Sequence, residues 1–208
     1  MKRQHSQEQQ KLIHVTWVSG YSFIGSILTF IAALIFIPLP DFSQDPPVIP
    51  ALLMTFGQIG TSLLIIGCVA YATKLTEERK TMSSIGFTLM SVAQGIIFVL
   101  YIISFNGEEK IAEAYRLFSA SLYLLIAAIL LISFFSEFPK WLKIVGVISC
   151  LPYVVENILY SIEGKLSPKL MYLDAAGNFL FNFTVACWGV FVLRSLKSEL
   201  NKLKSHEK

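Results

Sequence analysis

Met82 to Ser104 reads MSSIGFTLMSVAQGIIFVLYIIS, an unbroken apolar run without one charged side chain. A hydrocarbon core of about 30 Å takes roughly 20 apolar helical residues to cross, and this run is about that long. It reads as a membrane-spanning helix. Five further runs of the same character fill most of the remaining chain: Ile13 to Pro38, Pro50 to Thr73, Tyr115 to Phe135, Trp141 to Ile162 and Leu170 to Leu193. The expected fold is therefore all-α, a polytopic membrane protein built as a bundle of six transmembrane helices.

Composition excludes the alternatives. Hydrophobic residues make up 54% of the chain and charged residues only 15%, with a mean hydropathy of +0.62; a water-exposed surface needs more ionic groups than that. The longest gap between runs, Leu39 to Ile49, is proline-rich and too short to bury a core of its own. Residues 1–208 are expected to form one transmembrane domain.

Basic residues alternate in density from gap to gap. Lys2, Arg3 and Lys11 precede the first span, Lys74, Arg79 and Lys80 follow the second, Lys140 and Lys143 follow the fourth, and Arg194, Lys197, Lys202, Lys204 and Lys208 follow the sixth, which accounts for 13 of the 17 Lys and Arg residues. The other gaps hold only Lys110, Arg116, Lys165 and Lys169, against Asp41, Asp45, Glu108, Glu109, Glu113, Glu163 and Asp174. Because Lys and Arg are retained on the cytoplasmic side, both termini are expected there. The basic residues flank spans and build no groove-sized patch, so membrane lipids are the expected partners and nucleic acid is not.

Met1-Lys2-Arg3 followed by an apolar run resembles the start of a secretory signal. The run is longer than the usual apolar region of roughly 7 to 15 residues and ends in Ile37-Pro38-Leu39-Pro40, with no small-residue cleavage site. A retained helix is the expectation. Cys68, Cys150 and Cys187 all fall inside spans and read as small apolar fillers, neither a disulfide framework nor a spaced metal motif.

Comparing the halves for a three-plus-three repeat finds only Leu53-Met54, Gly60 and Leu63 against Leu170-Met171, Gly177 and Leu180, which relates spans two and six and so is no repeat of halves. Small residues at helical spacing mark expected packing faces: Ser22 and Ser26, Gly57 and Thr61, Gly146 and Cys150, and Ala175-Ala176-Gly177. Pro152 is expected to kink span five. Trp17, Tyr21, Tyr101, Tyr115, Trp141, Tyr160 and Tyr172 are expected mostly at the interfaces.

Glu156 is the one carboxylate well inside a span, roughly 9 Å from the outer end of span five. An acidic side chain at a bilayer centre costs about 2.5 to 3.5 kcal/mol on insertion scales and somewhat less near the interface, so Glu156 should face the bundle interior or water. Asn157 is adjacent, and Tyr153 and Tyr160 share its helical face. Asp174, Asn178 and Asn182 recur every fourth residue down span six. Gln58 and Gln94 fall at similar depth, and Arg116, at the outer start of span four, is the nearest cation. Two readings stay open: a polar pocket facing outward, or a hydrogen-bond network that only ties helices together.

Catalysis has little to work with. His5, His14 and His206 lie at or beyond the cytoplasmic ends of spans, so no histidine can serve a metal or a buried serine at the depth of Glu156. Glu156 and Asp174 match no aspartyl-dyad motif. Asn182-Phe183-Thr184 has the form of a glycosylation sequon but lies within a span. No metal and no cofactor is expected.

From span two onward the chain resembles a large bacterial family of six-span integral membrane proteins of unknown function, the domain-of-unknown-function 4386 type. The residues that carry the resemblance are Phe138-Pro139-Lys140-Trp141-Leu142 with Gly146, Ser84-Ile85-Gly86-Phe87, and Trp188 in a last span ending at Arg194. It implies a bacterial inner-membrane location and the six-helix layout, and transfers no functional residue. The favoured function is a non-enzymatic membrane protein whose polar pocket (Glu156, Asn157, Asp174, Asn178, Asn182, Gln58, Gln94, Arg116) binds a small or lipid-like ligand, or an accessory or sensor subunit. The alternatives are a small-solute or proton-coupled transporter and, behind it, a lipid-modifying enzyme.

Overall fold

A computed structural model of the chain describes residues 2–37, 51–104, 111–163 and 168–206. Nearly all of these are helical: α1 (Lys2–Phe36), α2 (Ala51–Glu77), α3 (Thr81–Ser104), α4 (Ile111–Phe135), α5 (Lys140–Ser149), α6 (Leu151–Glu163) and α7 (Pro168–His206). Six stretches are long and apolar enough to cross a membrane: Gln10–Phe36, Thr55–Glu77, Thr81–Leu100, Leu117–Phe135, Lys140–Ile162 and Tyr172–Ser198. The fifth consists of α5 and α6 end to end. The protein is a multi-pass, all-α membrane protein.

α1 and α7 run well past the apolar stretches that predict them. With 35 and 39 residues they measure about 52 and 58 Å at 1.5 Å per residue. Hydropathy marks where lipid contact ends, whereas a helix ends where its hydrogen bonds are interrupted. Neither Lys2 to Leu12 nor Arg194 to His206 contains a Gly or Pro to interrupt them.

Consecutive spans pack side by side and α1 returns to α7, so the six spans close into a ring in sequence order. The near end is where α1 begins and α7 finishes; it also carries the turns at residues 78–80 and 136–139. The far end is where α1, α3 and α6 finish. Helices on opposite sides of the ring do not approach backbone to backbone, so side chains fill the middle.

In the near half the filling is aromatic. Phe23 (α1), Tyr71 (α2), Phe87 (α3), Phe138 and Trp188 (α7) form one cluster with paired ring centroids 4.9 to 6.4 Å apart. Phe138 comes from the α4–α5 turn, and its ring is nearly parallel to Tyr71 on one side and Trp188 on the other. Phe23 is fully buried because α2 and α7 approach it with glycines. A Cβ on Gly67 would sit 2.8 Å from the Phe23 ring, and one on Gly189 would sit 3.1 Å from its Cβ. Lipid gives helices no hydrophobic reason to associate, so this close packing is what holds the ring.

Of the small-residue pairs read from sequence, Ser22, Ser26, Thr61, Gly146 and Cys150 are buried between helices. The Ala175-Ala176-Gly177 run splits: Gly177 is buried, while Ala175 and Ala176 face outward. Trp17, Tyr21, Trp141 and Tyr172 are half exposed or more, whereas the side chains of Tyr101 and Tyr115 lie outside the described residues.

Pro152 breaks span five where expected. α5 stops at Ser149, whose hydroxyl donates to the Gly146 carbonyl at 2.7 Å. The Cys150 N–H donates to Val147 O at 3.1 Å, a tighter turn than the α-helix, before Val154 N–H to Cys150 O resumes the ladder. The inward face continues across the break through Leu142, Gly146, Ser149, Tyr153 and Glu156.

The near-end α2–α3 turn is a Schellman motif. Lys80 N–H donates to Leu75 O at 2.8 Å and Arg79 N–H to Thr76 O at 3.0 Å, with Arg79 in the left-handed region at φ 61°. Ion pairs tie this turn to its surroundings: Lys80 reaches Glu137 at 2.6 Å and Glu78 at 2.7 Å, Lys74 reaches Glu78 at 3.6 Å, and Lys11 reaches Glu77 at 3.0 Å.

Candidate functional site

Among the described residues, the carboxylates and amides set deep inside the spans gather from the middle of the bundle to its far end. By helical rise Glu156 lies about 10 Å from the end of α6, Asp174 about 9 Å from the start of α7, and Ser119 about 12 Å from the start of α4. Glu156 is 1% exposed and Asn157 4%. Both face inward because they follow Ser149 and Tyr153 at helical spacing on the inward side of span five.

A chain of hydrogen bonds joins three helices at this depth. Ser119 of α4 donates to Asn157 Oδ1 of α6. The Asn157 amide donates to the Tyr153 carbonyl at 3.0 Å. The Tyr153 hydroxyl crosses to α7 and donates to Asn178 Oδ1 at 3.2 Å, and Asn178 Nδ2 donates to Asp174 Oδ1 at 2.9 Å. Asn182 Nδ2 closes on the Asn178 carbonyl at 2.7 Å. The crossing depends on Gly177, where a Cβ would stand 2.7 Å from Tyr153 Cε1. A glycine therefore lets the tyrosine ring lie flat on α7 and carry its hydroxyl to Asn178.

Seven of the eight residues named from sequence can be placed relative to this chain. Asn157, Asn178, Asp174 and Asn182 belong to it, with the α7 members only half-buried and partly satisfied along their own helix. Glu156 is buried beside it on α6. Gln94 is 5% exposed on α3 and makes no side-chain hydrogen bond among the described residues. Gln58, half-buried on α2, contributes only its backbone carbonyl, to Ser62 at 2.8 Å; α2 and α3, which carry it and Gln94, stand across the ring from α6 and α7. The Arg116 side chain lies outside the described residues.

Ser119 and Gly177 are members that sequence reading did not single out for this role. Ser119 looks like any serine in an apolar span, and only the packing of α4 against α6 gives it Asn157. The sequence marks Gly177 as a packing residue, but its partner Tyr153 depends on how α6 meets α7.

The buried polar groups of the near half are of another kind, mostly hydroxyls such as Thr16, Ser19, Ser83 and Ser133, with Lys74. Between the far-half network and the near end stands the aromatic cluster of Tyr71, Phe87, Phe138 and Trp188, each 8% exposed or less. Among the described residues no three His, Cys, Asp or Glu side chains converge, and no Ser–His hydrogen bond exists. What the arrangement offers chemically is two carboxylates, three amides, a phenol and a hydroxyl, suited to accepting hydrogen bonds from a donor-bearing group in a site shielded from one side of the membrane.

The chain matches no protein-family model, and comparisons with curated proteins and with solved structures found no match. The six-span layout implied by the resemblance noted above is present; membership of that family has no match behind it.

Proposed function

We propose that this protein is a non-enzymatic membrane protein of the bacterial inner membrane, with both termini in the cytoplasm, whose far half binds a small or lipid-like ligand carrying hydrogen-bond donors or a positive charge. The observation that carries the proposal is Glu156, a carboxylate buried to 1% exposure inside a membrane span and flanked by the Ser119–Asn157–Tyr153–Asn178–Asp174 chain. Intramembrane carboxylates are costly and are retained where they bind, relay or pair. The basic-residue asymmetry supports an outward-facing site, since it puts the aromatic-filled near half towards the cytoplasm. The same filling argues against a continuous path across the membrane and so favours binding over transport.

Glu156→Gln tests this, since it keeps the shape and most of the hydrogen-bonding capacity while removing the charge. Thermal unfolding of purified protein against a panel of cationic and zwitterionic amphiphiles should show ligand-dependent stabilisation of the native chain that the variant loses, with unliganded stability held or raised because a buried charge is costly. If no compound stabilises the native chain more than the variant, Glu156 belongs to a helix-tying network and the binding reading is wrong.

A further inference from the structure

A second place for a ligand lies outside the ring, at the near end. α2 and α3 leave between them an open groove of about 350 Å³ lined by Val69, Thr73 and Thr76 on one side and Ser84, Thr88 and Val92 on the other, with Ser91 also on the wall. Val69 is 52% and Val92 49% exposed on the outer surface of the bundle, so in a membrane this groove faces lipid. We propose that it seats one glycerophospholipid of the near-end leaflet, with a hydroxyl-bearing anionic headgroup of the phosphoglycerol class whose phosphate is held by Arg79.

The polarity of the groove follows that of a lipid. Thr76 and Ser84 stand one and three residues from the helix ends at the turn, and Thr73 and Thr88 lie a turn deeper. Val69 and Val92 line the far part, about 12 to 16 Å below the helix ends. Headgroup and glycerol would therefore lie against hydroxyls and the upper acyl chain against valines.

Hydrogen-bond directions narrow the headgroup. Thr73, Thr88 and Ser91 each donate to a backbone carbonyl four residues back, at 2.9 to 3.0 Å. Thr76 and Ser84 are hydrogen-bonded to each other at 2.7 Å and share the Ala72 carbonyl as their other partner. The oxygens of Thr73, Thr88 and Ser91 are left to accept, so they suit a ligand that brings donors, such as glycerol hydroxyls, better than a phosphate, which only accepts. A phosphate needs a cation. At this end Glu77, Glu78 and Glu137 are engaged by Lys11, Lys74 and Lys80, whereas exposed Arg79 forms no ion pair among the described residues. Its guanidinium suits phosphate bidentately. Arg79 belongs to the α2–α3 turn, three residues after Thr76 and five before Ser84, the two groove residues nearest the near end. A choline headgroup has phosphate but no donor for the hydroxyls, and should bind less well.

Native mass spectrometry of the full chain released from nanodiscs containing equal phosphatidylglycerol, phosphatidylethanolamine and phosphatidylcholine tests this, because it counts bound lipids and oligomers together. One phosphatidylglycerol should be retained over phosphatidylcholine by about fivefold, the worth of one interfacial cation. Arg79→Gly should reduce that preference to the part the glycerol donors supply, by removing the cation that favours a net negative headgroup, while thermal stability holds or rises, since the backbone strain goes with the side chain; Arg79→Lys should keep much of the preference. Thr88→Leu combined with Ser91→Leu, both on the lipid-facing wall, should reduce retention of every headgroup by filling the groove. Equal retention of the three lipids by the native chain would overturn the proposal, as would an unchanged preference in Arg79→Gly, undiminished retention in the filled groove, or a dimer that forms with lipid excluded from this face.

Discussion

Gly177 shows how much a single hydrogen atom decides in this protein. Adding a methyl group there drives it into the Tyr153 ring at 2.7 Å, and neither the α7 backbone nor a ring 1% exposed has room to yield. Gly177→Ala should destabilise the protein by about 1–3 kcal/mol, as overpacking of a filled interior does, and should break the Tyr153–Asn178 hydrogen bond. Gly95→Ala is the matched control, because a Cβ there meets nothing within 4 Å and the helix gains up to about 1 kcal/mol in propensity. Thermal unfolding of the two variants in the same detergent should move in opposite directions. Arg79 is strained by its backbone alone, at φ 61°, so Arg79→Gly should stabilise by about 0.5–1 kcal/mol. No loss of an ion pair offsets that gain among the described residues.

The α4–α5 turn does at element scale what no helix does: it fills the near half of the ring with Phe138. Phe138→Ala removes a ring 4% exposed from between Tyr71, Phe87 and Trp188, and should cost about 3–5 kcal/mol by leaving a cavity the surrounding helices cannot close. Far-half variants should leave this loss unchanged, since the two regions share no side chains. The turn is held to the α2–α3 turn by Lys80. Burial opposes the charge on Lys80, but hydrogen bonds to Glu137 and Glu78 outweigh it and hold its pKa above the ordinary lysine value. A raised lysine pKa stabilises the fold below the unfolded value near pH 10.4, and that contribution is lost as pH rises through the folded value. Lys80→Met should therefore lower stability by about 0.2–1 kcal/mol at pH 7, less at high salt, and make no difference once the lysine is deprotonated. Stability measured across pH 7 to 11 for both proteins checks the sign.

For the molecule as a whole, ring closure by α1 and α7 puts both termini and both described turns at one end. Reporter fusions after Lys80 and Lys143 should therefore report the same side of the membrane as a C-terminal fusion, and on the orientation proposed from the basic-residue asymmetry that side should read as cytoplasm. Opposite readings from Lys80 and the C-terminus would break the six-span ring itself. Cytoplasm-like readings from a fusion in the Asp41 to Asp45 stretch would refute the orientation alone.

The membrane location, the six spans and the kink at Pro152 were legible in the sequence, because hydropathy and a missing backbone N–H act over one helix and need no knowledge of neighbours. Burial of Glu156 and Asn157 was legible for the same reason: lipid penalises polar groups wherever the rest of the chain goes. What the sequence could not show is contact. Ser119 meeting Asn157, Tyr153 resting on Gly177 and Phe138 lying between Tyr71 and Trp188 each join residues from different helices, and which helices meet is set by the closing of the ring. Gln58 and Gln94 make the point from the other side, since their depth matches the network but no bond ties them to it. Depth is a property of one helix in a bilayer, whereas adjacency belongs to the packed assembly, where close approach at a few glycines decides which side chains can touch.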